Sequence, residues 1–146
     1  MNGVPIVTEL PGIADFPRIA RDKLRYGDTD RQGHVNNAVF STFLETGRVE
    51  ILFDADGPIA DDGCGFVIAR LILDFRSEIV WPGEVQIGTR LHSIGRSSLG
   101  IVQGIFQGDR CAATAETIIV QVNQQTRKSQ PFSDVTAQRL ARSGKA

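Results

Sequence analysis

The sequence predicts an α+β domain in which one long helix covers one face of a curled antiparallel sheet of about five strands. Three observations lead there. Between Asn36 and Phe53 the apolar residues Phe40, Phe43, Leu44 and Ile51 recur at helical spacing, the one long stretch that does so. Beyond Gly63 apolar and polar residues alternate in runs separated by turn residues, as in half-buried strands. The order strand, helix, strands excludes a doubly wound βαβ arrangement, and 146 residues suit one domain with a site built inside the fold or between copies of it.

Residues 1–22 contain Pro5, Pro11 and Pro17 with little periodicity and are expected to form an N-terminal extension lying over the domain. The domain proper is expected at 23–130, with 131–146 as a tail. Lys23 to Thr29 suits a short first strand. The helix from Asn36 to Phe53 spans about five turns, with Glu45, Arg48 and Glu50 at polar positions. Gly47 costs about 1 kcal/mol relative to Ala inside a helix, so its presence predicts close packing on the sheet.

Asp54 to Gly63 supplies the residues of a loop. Phe66 to Arg76 alternates, placing Val67, Ala69, Leu71, Leu73 and Phe75 on the face toward the helix. After the turn Trp81-Pro82-Gly83-Glu84, the segment from Val85 to His92 alternates again. Gly95 to Ser98 turns the chain into Leu99 to Gln107, and Gly108-Asp109 is a hairpin signal before Cys111 to Asn123. These three strands are expected to form a meander. A short helix over Asp134 to Arg142, capped by Ser133 or Asp134, is expected to add little to the core.

Hydrophobic content of 41%, charged content of 23% and a net charge of −1 are ordinary globular values, with no global electrostatic basis for binding nucleic acid. Cys64 and Cys111 lack the spacing of a metal or redox pair, which favours free buried thiols in a reducing compartment. No basic-then-apolar leader and no window near 18 apolar residues is present, so a cytoplasmic protein without a membrane span is expected.

The chemistry concentrates between Arg25 and Arg48, in RYGDTDRQGHVNNAVFSTFLETGR. Acidic residues, a glycine-histidine turn and a helix start follow within a dozen positions, aiming the helix's unpaired N–H groups and positive dipole end at whatever sits beside the carboxylate. That suits attack on a polarised carbonyl. Taken alone, Asp30 reads first as a turn or capping residue, and Asn36 and Asn37 are good helix-start residues. His34 orients a water, bonds the acyl group, or satisfies the turn. Glu45 and Arg48 suit an i,i+3 pair. His92 is expected at the surface. There is no G-x-S-x-G elbow, phosphate loop or dinucleotide fingerprint.

Asp28-Thr29-Asp30, Gly33-His34-Val35-Asn36-Asn37 and the helix with Phe40, Glu45 and Arg48 resemble the signature of hotdog-fold acyl-CoA thioesterases of the 4-hydroxybenzoyl-CoA thioesterase type. The similarity runs through the Trp81-Pro82-Gly83-Glu84 turn and Ile94-Gly95-Arg96-Ser97-Ser98, covering roughly residues 23–130. The resemblance implies hydrolysis of an acyl-CoA or acyl-carrier thioester, with Asp30 as nucleophile or general base and the backbone at Asn36–Asn37 as oxyanion donor. Asn37 is the better match. His34 matches a histidine that accompanies the aspartate in plant acyl-carrier-protein thioesterases, whereas Gln32 stands where those enzymes have asparagine.

Asp28 is read as scaffold, bonded at the turn or to Arg25. Tyr26 and Phe40, with Phe43, are candidates for an apolar acyl pocket. Arg96, Ser97 and Ser98 are candidates for coenzyme A phosphates, as a turn offering charge and hydroxyls. No cofactor or metal is expected, because a thioester is activated enough for a carboxylate and an oxyanion donor. One chain leaves a sheet edge open, so a homodimer through Phe66–Arg76 is expected, with a tetramer as dimer of dimers. The alternative is a non-catalytic acyl-CoA or acyl-carrier binding module.

Overall fold

The computed structural model describes residues 10–145. Its elements are β1 (Arg18–Lys23), α1 (Asn37–Leu52), β2 (Phe53–Asp54), β3 (Gly57–Pro58), β4 (Cys64–Phe75), β5 (Glu84–Ile94), β6 (Ser98–Gln107), β7 (Arg110–Asn123) and α2 (Asp134–Ser143). Five strands form an antiparallel sheet in the order β1-β5-β6-β7-β4, and β2 and β3 make a small hairpin inside the expected loop. One helix lies on one face of this sheet. The arrangement is the hotdog fold, and β5, β6 and β7 form the expected meander.

α1 buries Phe40, Phe43, Leu44, Gly47, Arg48 and Ile51 as one stripe. Phe40, Phe43 and Leu44 pack with Val85, Ile87 and Ile105, while Ile51 joins Ile59, Leu99, Ile101 and Ile119 toward the other end. Gly47 sits against the sheet. A Cβ there would lie 2.5 Å from Ile87 Cγ2, 2.6 Å from Gln103 Nε2 and 2.8 Å from Thr89 Oγ1. Gln103 is fully buried and donates to the Leu44 carbonyl at 2.9 Å, tying helix to sheet at this contact.

The opposite face of the sheet is covered at β5 and β6 by the N-terminal segment, where Phe16 packs with Val102, Phe106 and Cys111. Cys111 is buried and Cys64 half-buried, both as free thiols.

Three expectations need correction. The first strand is not Lys23–Thr29 but Arg18–Lys23, paired with β5. The Asp28 carboxylate accepts the Arg25 N–H at 3.0 Å and folds Tyr26–Asp28 into a 3₁₀ turn, which ends the extended run. In β4 a register shift between Ile68 and Arg70 reverses the alternation. Phe66 therefore packs inward, Leu71 and Leu73 keep their expected face, and Val67 is half-exposed.

The tail is the third correction, because Leu140 of α2 is buried beside Ile51 and Ile59. Asp61 holds this helix in place: it accepts from Ser133 N and Oγ at 3.0 and 2.6 Å, from Thr136 Oγ1 at 2.7 Å and from Gln121 Nε2 at 3.0 Å. Burial raises the Asp61 pKa, but these bonds outweigh it and bring the carboxyl to about 2.

Candidate functional site

The chain between β1 and α1 is fixed at two points. The Asp28 carboxylate, 4% exposed, takes the Arg25 backbone N–H and the Arg25 guanidinium, while its carbonyl accepts from Asn36 N at 2.8 Å. Burial acts to raise the Asp28 pKa, and the bonds and charge of Arg25 overcome it, holding the carboxyl below its ordinary value. Downstream, Val35 N donates to the Ile79 carbonyl at 2.8 Å, pinning the segment to the approach to β5.

Between those points lies a tight turn. Asp30 N donates to the His34 carbonyl at 2.8 Å, and Asp30 Oδ1 accepts from Gln32 N at 2.8 Å and His34 N at 3.3 Å. Gly33, at φ +83°, supplies the left-handed residue the turn requires. One carboxylate oxygen thus holds the turn, and Oδ2 has no hydrogen bond among the described residues.

Asn36 caps α1, its Oδ1 accepting from Ala38 N at 3.0 Å. Asn37 is the first helical residue, so its N–H has no acceptor within the helix and stands at the positive dipole end.

These groups open on one cleft of about 330 Å³, the size of a small-molecule site. Asp30, Gln32, His34 and Asn37 form its polar wall, and Val35, Phe40 and Phe75 its apolar part. Phe40 meets Phe75 edge-to-face at 5.0 Å between centroids. Arg76, Ser77 and Glu78 close the opposite side. Glu78 Oε2 lies 2.8 Å from His34 Nε2 and fixes the imidazole over the cleft.

Sequence reasoning missed Phe75 and Glu78 as site residues, although Phe75 was placed on the helix-facing side, and Arg76 was only a weaker candidate for coenzyme A phosphates. Their segment follows a strand and lies more than forty positions from His34, and nothing in local spacing links the two.

The other candidates fall elsewhere in a single chain. Tyr26 is 75% exposed and packs edge-to-face on Trp81, outside the cleft lining. Arg96, Ser97 and Ser98 turn the chain at the far end of β5, about 35 Å from the Asp30 end at 3.3 Å per residue. The carbonyls of Arg96 and Ser97 accept there from Phe132 and Gln121. Glu45 and Arg48 form no ion pair: Glu45 is exposed and Arg48 is buried on the sheet-facing stripe.

A second hollow, of about 320 Å³, lies at the opposite end of α1. Its arginines are largely engaged, Arg18 with the Glu50 and Ser143 carbonyls and Arg139 with Asp54. Among the described residues no group of His, Cys, Asp and Glu side chains is arranged to hold a metal ion. None of the helices there is long and apolar enough to cross a membrane.

The pattern of the thioesterase-like superfamily matches residues 24–140, a span running from the Asp28–Asp30 turn to α2. The chain belongs to this superfamily. No curated protein matches it significantly. Among solved structures, this superfamily member resembles a Thermus thermophilus thioesterase complexed with coenzyme A and Zn. The two are 28% identical, with 86% of this chain and 98% of the other covered, at a TM-score of 0.72.

Two more distant structures share the thioesterase-like fold. YbaW of Escherichia coli is 22% identical, with 88% and 99% covered and a TM-score of 0.73. SAV2348 of Staphylococcus aureus, in complex with CoA, is 14% identical, with 87% and 83% covered and a TM-score of 0.75.

Proposed function

We propose that this protein hydrolyses an acyl-CoA or acyl-carrier thioester, in the manner of the 4-hydroxybenzoyl-CoA thioesterase type that its motif resembles. Superfamily membership supports thioester hydrolysis in general, and the coenzyme A held by the Thermus thermophilus relative supports coenzyme A as the carrier. The observation that carries the reading is the shared cleft: the Asp30 carboxylate, the start of α1 and the Phe40–Phe75 apolar surface open on one space.

With the thioester carbonyl there, the Asn37 N–H and the helix dipole stabilise the developing oxyanion. Asp30 acts in one of two ways. It attacks the carbonyl carbon, expelling thiolate and leaving a mixed anhydride that water opens, or it takes a proton from a water that attacks in its place. Either route ends in free acid and thiol. Glu78 and the turn hydrogen bonds hold His34 beside the reacting groups.

The protein acts as a homodimer joined through β4. This strand pairs only with β7 among the described residues, and Val67, Ile68 and Phe75 along it are 50%, 50% and 51% exposed. An open apolar edge of this kind calls for a second strand. A partner chain also offers a way for Arg96, Ser97 and Ser98 to reach a substrate that they do not meet within their own chain.

A panel of aliphatic and aromatic acyl-CoA and acyl-carrier thioesters, with released thiol as the readout, tests the activity. Hydrolysis by the wild type that is lost in Asp30→Asn is expected. Tight acyl-CoA binding without turnover would overturn catalysis in favour of a binding module.

A further inference from the structure

Glu78 lies in the irregular connection between β4 and β5 and its side chain is 53% exposed, yet its Oε2 stands 2.8 Å from His34 Nε2. Ordering an exposed side chain on an irregular segment costs entropy, so the backbone beneath it has to be fixed by other bonds.

Those bonds are present along the connection. At its start Arg76 N and Ser77 N donate to the Ala112 carbonyl of β7 at 2.8 and 3.1 Å. Further on, Ile79 is fully buried with its carbonyl accepting from Val35 N at 2.8 Å, and Val80 forms an antiparallel bridge with His34. The last anchor is a side chain. Val80 N donates to Gln107 Oε1 at 3.1 Å, and Gln107 Nε2 donates to the Val80 carbonyl at 2.6 Å.

A hydrogen-bonded residue of an antiparallel ladder exchanges both of its backbone bonds with one neighbour. Here an amide side chain takes that neighbour's place. Gln107 is the last residue of β6, paired with Arg110 across the Gly108–Asp109 turn, and Arg110 Nη2 donates to the same Oε1 at 2.9 Å. Two donors on the oxygen and a carbonyl on the nitrogen fix which way the amide faces.

The bonds run in series from the β6–β7 hairpin through Gln107 to Val80, and from Val80 to His34. Glu78, two residues before Val80, returns to the same histidine. Gln107 itself is not among the residues that line the cleft.

We propose that Gln107 is a positioning residue of the Asp30 cleft, which through Val80 holds Glu78 against His34. The inference rests on the hydrolysis proposed above and adds a residue outside the cleft that sets its opposite side. Removing the amide frees Val80 and lets Glu78 swing into solvent, while Asp30 and the start of α1 keep their own hydrogen bonds.

Gln107→Met tests it, because methionine keeps the length of the side chain and makes neither bond. kcat should fall about tenfold with KM nearly unchanged, the size of effect seen when a residue that orients a functional imidazole is lost. Adding Glu78→Gln should lower kcat no further, because both changes break one link. The chain has two histidines, so their imidazole signals are read directly by NMR. Those of His34 should move toward their positions in Glu78→Gln, and those of His92, exposed on β5, should stay.

Wild-type kcat with unmoved His34 signals in a folded Gln107→Met overturns the assignment. So does a rise in KM alone, or a double variant whose losses multiply to about a hundredfold. A wild type that hydrolyses no thioester overturns the proposed function instead, and the imidazole signals then decide the Gln107 link by themselves. Should Gln107→Met fail to fold, as judged by circular dichroism, Gln107→Glu replaces it. That variant keeps the acceptor for Val80 N but sets an anion against the Val80 carbonyl, and the same changes in kcat and His34 signals are expected.

Discussion

The two ends of α1 handle polar groups in opposite ways. At the C-terminal end Arg18 bonds the last-turn Glu50 carbonyl, Arg139 grips Asp54, and Asp61 collects hydrogen bonds from Ser133, Thr136 and Gln121. At the N-terminal end, Asp30 keeps one carboxylate oxygen without a partner among the described residues, Asn37 has no intrahelical acceptor for its N–H, and both face a cleft. Satisfied polar groups hold the fold together. Unsatisfied ones, arranged around a hollow, are available to a substrate.

The contrast recurs within three residues. Asp28 and Asp30 are the same residue type, yet Asp28 is buried and bonded on both oxygens by Arg25, while Asp30 is exposed and bonded only through Oδ1 among the described residues. The same residue type divides into a scaffold and the proposed reagent because the backbone buries one and not the other.

The largest expected effect falls on the open end. Asp30→Asn should lower kcat/KM by about 10²- to 10⁴-fold with little change in thermal midpoint, as steady-state hydrolysis and calorimetry would show. A large loss of stability with activity per folded molecule retained would reverse the division. Gly47→Ala should cost about 3 kcal/mol, because the added methyl meets Ile87, Gln103 and Thr89 at the helix–sheet contact. Urea unfolding measures it.

At the satisfied end, Asp61→Ala should cost about 2–3 kcal/mol, by leaving Ser133, Thr136 and Gln121 without their acceptor. Turnover per folded molecule should stay the same. The pH dependence has a definite sign. The Asp61 carboxyl falls from 3.8 to about 2 on folding, so its contribution is fully present above about pH 4 and is lost as pH drops toward 2. Asp28, lowered by Arg25, loses its contribution in the same direction. Acid unfolding of Asp61→Ala should show a shallower pH slope than the wild type.

The smallest effect is expected for Glu78→Gln. It keeps the shape of the side chain but removes the charge beside His34, and should lower kcat by about tenfold with KM nearly unchanged. A rise in KM alone would make Glu78 a binding residue.

Much of the fold was legible in the chain because local rules and tertiary packing agreed. The spacing of Phe40, Phe43, Leu44 and Ile51 marked the helix, Gly47 marked its close approach to the sheet, and alternation with turn residues marked the meander. The failures arose where a single local interaction broke a period. The Asp28–Arg25 bond turned an expected strand into a 3₁₀ turn, and the bulge in β4 exchanged the faces of Phe66 and Val67. Leu140 looked isolated in a polar tail, yet Asp61, far away in sequence, anchors the helix that buries it.

By itself the sequence determined the α+β class, the helix and its start at Asn36–Asn37, and Asp30 as the residue to test, because these depend on neighbours within a few positions. Only the tertiary structure decided which aspartate is buried and which wall completes the cleft. It brought Phe75 and Glu78 to Phe40 and His34. Burial and long-range pairing depend on how strands distant in sequence are registered, and no local period encodes that register.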